Sequence, residues 1–115
     1  MLKKIIFFSV VFSLHFNVNA QENVPNVALK TISGNSIQSS EIINDEGFSI
    51  ISFWATWCIP CINELDAIND VYDSWNENYN IKVLAISTDD ARSKKRVRPM
   101  VSGKNWGFEV FSDTN

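Results

Sequence analysis

The sequence predicts an α/β fold organised around a strand–helix–strand unit. Two apolar runs, Phe48–Trp54 and Ile81–Ser87, read as core strands. The segment between them carries Cys61, Leu65, Ile68, Val71, Tyr72 and Trp75 at helical spacing, with Asn63, Glu64, Asp66, Asn69, Asp70 and Asp73 filling most of the rest. Two strands joined by such a helix belong in one sheet as parallel strands, with a right-handed crossover. The length of 115 residues has room for one small domain.

The elements follow in chain order. Residues 1–20 read as a signal peptide: Lys3 and Lys4 supply the positive start, Ile5–Leu14 the short apolar core, and Val18-Asn19-Ala20 a cleavage site ending at Ala20. A retained membrane anchor is the alternative. A spanning helix needs about 20 apolar residues, and His15, Asn17 and Asn19 interrupt this one. Residues 21–115 then form the domain. Val27–Thr31 and Ser36-Ile37 flank the turn signal Ser33-Gly34-Asn35, which predicts a hairpin. Ser39 is placed to cap a short helical turn over Ser40–Ile43, and Asn44-Asp45-Glu46-Gly47 breaks the chain. Phe48–Trp54, apolar at nearly every position, predicts a strand covered on both faces. The long helix is expected from Ile59 to Asn76, with a polar break at Asn76–Asn80. After Ile81–Ser87, Asp89 or Asp90 can cap a third helix over Ala91–Ser102, which Pro99 should kink or restart. Phe108–Phe111 begins a further strand.

Loss of residues 1–20 would remove Lys3 and Lys4 and no acid, leaving eight basic residues against thirteen acidic ones. That balance argues against nucleic acid as a partner, which calls for a basic footprint. The cluster Lys94, Lys95, Arg96 and Arg98 reads as a solvated helix face; docking of an acidic electron donor is the sharper alternative.

The chemistry concentrates at Trp57-Cys58-Ile59-Pro60-Cys61, which holds the chain's two cysteines. A strand, a tight link and Cys-x-x-Cys opening a helix is the setting of a dithiol redox site. The spacing lets the two sulfurs close a small disulfide, and the helix start supplies free N–H groups and a positive dipole end that favour a thiolate. Cys58, at the helix N-terminus, is the expected nucleophile; Cys61, about one turn in, is the expected resolving thiol. Pro60 fits the first helical turn, where a missing N–H costs nothing, and fixes the backbone between the thiols. Trp57 is placed to shield the thiols and to offer substrate an apolar contact, whereas Trp54 suits packing. Trp75 and Trp106 read as core or partial core. Glu64 lies one turn past Cys61; buried beneath the dithiol, it would be disfavoured as an anion and could exchange a proton with Cys61. The plainer readings are a static disulfide, half of a zinc site, core tryptophans and a solvated Glu64. Zinc takes about four ligands, and beyond residue 20 the chain offers Cys58 and Cys61 but no histidine.

The string Phe53-Trp54-Ala55-Thr56-Trp57-Cys58-Ile59-Pro60-Cys61-Ile62-Asn63-Glu64 resembles the signature of the thioredoxin-like TlpA/ResA group of extracytoplasmic thiol-disulfide oxidoreductases, with Glu64 in that group's acidic position. The resemblance extends back to Val24-Pro25 and the turn at Gly34, and forward to Val83-Leu84-Ala85-Ile86-Ser87. It implies a thioredoxin-like fold, here its N-terminal portion: a hairpin followed by β-α-β-α-β. Such folds also carry a cis-proline loop facing the dithiol, two strands and a last helix. Pro25, Pro60 and Pro99 do not fit the cis-proline position, so the chain reads as truncated before that half. The resemblance further implies an exported or periplasmic monomer that reduces protein disulfides, takes electrons from an upstream thiol donor and needs no cofactor or metal. Proline before the second cysteine is similar to the reducing thioredoxins. Three alternatives stand beside this reading. A peroxiredoxin-like peroxidase resembles Pro-x-x-x-Thr-x-x-Cys, and that proline is absent here. A copper-delivery protein resembles Cys-x-x-x-Cys with a later histidine. The last alternative is a fragment without activity.

Overall fold

The computed structural model describes residues 23–114, so the signal peptide expected over residues 1–20 lies outside the described residues. In chain order the elements are β1 (Ala28–Thr31), β2 (Ser36–Gln38), α1 (Ser39–Ile42), β3 (Phe48–Trp54), α2 (Ile59–Tyr79), β4 (Ile81–Ser87), a 3-10 turn (Lys94–Arg96), α3 (Val97–Lys104) and β5 (Glu109–Asp113). They build one sheet in the order β2-β1-β5-β4-β3. Strands β3, β4 and β5 run parallel, while β1 is antiparallel to both β2 and β5. The strand–helix–strand unit therefore forms as expected, with Ile50 opposite Val83 and Trp54 opposite Ser87.

The hairpin turns where Gly34 adopts φ 94°, a backbone conformation that residues with a Cβ rarely take. The Thr31 N–H donates to Asn35 O at 2.9 Å and the Gly34 N–H to Thr31 O at 2.9 Å. Strand β4 has a neighbour on each side, and its alternation feeds two cores. Val83 and Ala85 join Trp54, Ile62, Leu65, Val97, Trp106, Phe108 and Val110 on one side. Leu84 and Ile86 join Leu29, Ile42 and Phe111 on the other. That explains why β4 is apolar at almost every position.

Strand β3 departs from the same expectation. It ends the described sheet, and Phe48 and Phe53 are 72% and 65% exposed. An apolar run signals a strand but does not say how many neighbours it gains. Gly47, just before β3, is pressed against the backbone: a Cβ there would collide with Asn80 O, the acceptor for the Phe48 N–H at 3.2 Å.

The helix boundaries shift for identifiable reasons. Helix α1 begins one residue early, after Gln38, whose N–H donates to Glu41 Oε1 at 3.2 Å. Ser39 does not cap it. Its hydroxyl donates to Pro25 O at 2.8 Å and accepts from the Val27 N–H at 2.9 Å, tying down the lead-in segment instead. Helix α2 runs past the expected break to Tyr79, because the polar residues there complete the helix end: Asn78 Nδ2 donates to Ser74 O at 2.9 Å, and Asn76 Nδ2 to Ile81 O at 3.1 Å. Asn80 then closes it with φ 50°. Ile62 and Leu65 are the buried residues of α2, whereas Val71, expected on the apolar face, is 40% exposed. Helix α3 starts at Val97 rather than Ala91, so Pro99 lies in its first turn, where it costs no hydrogen bond. The α3–β5 link is tied to α2 by Asp66, which accepts from Lys104 Nζ and from Trp106 Nε1 (2.8 Å), and by Asn69 Oδ1, which accepts the Gly107 N–H at 2.8 Å.

Candidate active site

Strand β3 ends at Trp54, and Ala55-Thr56-Trp57 carries the chain to the start of α2. Cys58 is the N-cap of that helix, with Ile59, Pro60 and Cys61 as its first residues. The Cys58 N–H donates to Ala55 O at 3.0 Å and its carbonyl accepts the Ile62 N–H at 3.1 Å, so the turn and the helix start share this residue. Cys58 and Cys61 are joined by a disulfide with their Cα atoms 5.3 Å apart. Both are half-buried, and Cys61 packs against the core cluster that holds Trp54 and Leu65. The first N–H groups of α2 point toward this end of the helix, where they favour negative charge.

The two tryptophans differ sharply in burial. Trp54 is 1% exposed and meets Trp106 edge-on, with ring centroids 5.3 Å apart. Trp57 is 66% exposed, and Ile59 beside it is 64% exposed, so the dithiol sits in an apolar, solvent-facing rim. Pro60 is exposed in the first turn of α2. Glu64 lies on an exposed face of α2, so the burial beneath the dithiol that a proton-exchange role called for is not met. Lys94, Lys95, Arg96 and Arg98 are exposed around the buried Val97, which makes the basic run a solvated face of the 3-10 turn and α3.

A second constellation supports the loop from below. Asp89 is 3% exposed, just beyond β4. Its Oδ2 accepts the Thr56 N–H at 2.9 Å and the Ser87 hydroxyl at 2.7 Å; its Oδ1 accepts the Thr56 hydroxyl at 2.6 Å. Burial pushes the Asp89 carboxyl up, but hydrogen bonds from Thr56, Ser93 and Ser87 outweigh it and hold the group below the ordinary carboxylate value. Beside it, the Thr88 N–H donates to Trp54 O at 2.8 Å. Neither aspartate caps a helix, because the 3-10 turn starts at Lys94 and α3 at Val97; Asp90 Oδ1 instead accepts the Arg92 and Ser93 N–H groups at 2.9 and 3.3 Å in the turn before them. By spacing alone, Asp89 is no more than an alternative cap and Thr56 carries no signal of a role. Among the described residues, no group of three or more His, Cys, Asp or Glu side chains is placed to hold a metal ion.

A model of the AhpC/TSA family matches residues 20–115. Among curated proteins, the thiol-disulfide oxidoreductase ResA of Oceanobacillus iheyensis is 32% identical over 94 residues, covering 74% of this chain and 48% of ResA. The thioredoxin-like protein YneN of Bacillus subtilis is 29% identical over 94 residues, covering 80% of this chain and 52% of YneN. The chain thus spans about half the length of the curated relatives it matches. Among solved structures, a thioredoxin-like protein from Porphyromonas gingivalis superposes with a TM-score of 0.69 at 37% identity, covering 84% of this chain and 63% of that one. The fold is thioredoxin-like.

Proposed function

The chain belongs to the AhpC/TSA family, and on that premise we propose that it is a thiol-disulfide oxidoreductase that reduces protein disulfides outside the cytoplasm. The observation that carries this reading is the Cys58–Cys61 disulfide at the start of α2, beside an exposed apolar rim. Its likeness to ResA, named a thiol-disulfide oxidoreductase, supports the same chemistry. Export rests on the signal-peptide pattern of residues 1–20 and on the persistence of disulfides outside the cytoplasm.

In the reduced protein, the Cys58 thiolate attacks one sulfur of a substrate disulfide. A mixed disulfide forms, and the other substrate sulfur leaves as thiolate and takes a proton from water. Cys61 loses its proton and attacks Cys58 Sγ. The Cys58–Cys61 disulfide forms and the second substrate thiol is released, so the substrate gains two electrons and the dithiol loses two. An upstream thiol donor restores the dithiol by the reverse exchange. Trp57 and Ile59 give the substrate backbone an apolar surface, and Pro60 keeps the turn between the sulfurs stiff.

Trapping tests the roles. With a disulfide-bonded peptide, Cys61→Ser should accumulate a mixed disulfide through Cys58, identified by mass, and Cys58→Ser should accumulate none through Cys61. Mixed disulfides formed equally well by the two variants would contradict the assignment.

A further inference from the structure

The reaction above makes no use of Asp89, yet the structure gives this residue an unusual setting. Among the described residues it is the only charged side chain in the buried core, and no cation pairs with it. A buried carboxylate is costly unless its oxygens are saturated with donors. Here the donors are the Ser87 hydroxyl, both donors of Thr56, its N–H and its hydroxyl, and Ser93. Thr56 lies in the short loop between β3 and Cys58, 33 residues away from Asp89 in sequence.

Strands β3 and β4 pair as far as Trp54 opposite Ser87. Beyond them, Thr88 continues the contact through Trp54 O, and Asp89 carries it one step further to Thr56. The clamp therefore extends the grip of the sheet to within two residues of Cys58. The next hydrogen bond along the loop is from the Cys58 N–H to Ala55 O. If the purpose were stability alone, an apolar pair of similar volume would serve as well or better. A bidentate clamp instead fixes orientation.

We infer that Asp89, acting through Thr56, is a positioning residue that holds Cys58 at the N-terminus of α2 in the reactive geometry. The inference rests on the oxidoreductase reading of Cys58. With the clamp intact, Cys58 stays the N-cap of α2, the end of a helix that favours a thiolate. With the clamp removed, the loop loosens and the thiol reverts toward an ordinary cysteine.

The test is the pH profile of Cys58 alkylation by iodoacetamide in the reduced protein, read by peptide mass, with folding checked by circular dichroism. The wild-type midpoint should lie below that of a free cysteine. Asp89→Ala should slow alkylation at pH 7 by roughly tenfold and move the midpoint up toward the free-thiol value of about 8.5. Asp89→Asn keeps an acceptor for the Thr56 N–H and can donate to the Thr56 hydroxyl, so it should restore a rate at or above wild type. Thr56→Val loses only the hydroxyl bond; it should slow alkylation about threefold and decides the matter if Asp89→Ala fails to fold. Folded Asp89→Ala with the wild-type profile, or Thr56→Val with the wild-type profile, would overturn the inference alone. Equal losses in Asp89→Ala and Asp89→Asn would also overturn it, because a side chain that keeps the Thr56 contacts would then fail to keep the thiol reactive. A wild-type profile like that of a free cysteine would overturn the oxidoreductase reading, and the inference with it.

Discussion

Leu65→Ala would strip three side-chain carbons from the position where α2 presses on the sheet beneath the dithiol. Leu65 is 0% exposed and shares a core with Trp54, Ile62, Val83 and Ala85. At about 0.8 kcal/mol per buried carbon, the lost transfer free energy is roughly 2.4 kcal/mol. The core around it is built from α2, β3, β4 and β5 and cannot collapse onto the gap, so a cavity cost adds to this. The total should reach about 3–4 kcal/mol, inside the range of buried Leu→Ala changes. Domains of this size have about 5–15 kcal/mol in all, so the variant should fold but only just. Urea unfolding followed by tryptophan fluorescence reads the effect. With a slope of about 1.5 kcal/mol per molar, the midpoint should fall by roughly 2 M. Val71→Ala is the paired control: Val71 also matches the helical apolar pattern, but it is 40% exposed and should move stability by less than about 1 kcal/mol. Equal losses at Leu65 and Val71 would refute the placement of α2 on the sheet.

Three further outcomes follow from the same structure. The Lys104 and Trp106 side chains hold the Asp66 carboxyl below its ordinary value, and the Asp89 carboxyl is also held low; both then stabilise the fold above the unfolded carboxylate value of about 3.9 and lose that effect as pH falls through their depressed native values. Denaturant midpoints should therefore decline on the acid side, and Asp66→Asn should make that decline shallower; an unchanged acid limb would contradict it. Trp57→Ala should raise KM for a protein disulfide about threefold to tenfold while leaving Cys58 alkylation by a small reagent unchanged; loss of both would point to a structural role. Glu64→Gln, on an exposed face of α2, should leave both the first attack by Cys58 and release of the mixed disulfide by Cys61 unchanged, read by rapid-quench mass analysis; slowed release alone would return Glu64 to proton exchange.

Much of the frame was legible because it is written in local signals. Gly34 marks its turn, the largely apolar run of β4 announces a core strand, and Cys-x-x-Cys after an apolar strand announces a dithiol at a helix start. What escaped depends on partners distant in sequence. Nothing within β3 shows that Phe48 and Phe53 face solvent at the end of the described sheet. Nothing near β1 shows that β5 pairs with it in antiparallel register, with Thr31 opposite Phe111. Asp66 and Asn69 look like the polar face of a helix, yet they bind Trp106 and Gly107, 40 and 38 residues onward. Asp89 and Asp90 are equal candidates for a cap by spacing. Only the fold turns Asp90 toward the backbone of Arg92 and Ser93 and Asp89 inward toward Thr56.

The central claim is that Cys58 and Cys61 cycle as one two-electron couple held by the fold. A redox titration measures this most directly: equilibrate the protein across thiol buffers spanning the known range of the fold, alkylate, and count free thiols by mass. The account predicts one sharp transition in which both thiols appear together, nearer the thioredoxin value of about −270 mV than the strongly oxidising value of about −120 mV. A disulfide that stays closed across the whole range, or a broad transition matching that of an unstructured Cys-x-x-Cys peptide, would contradict it.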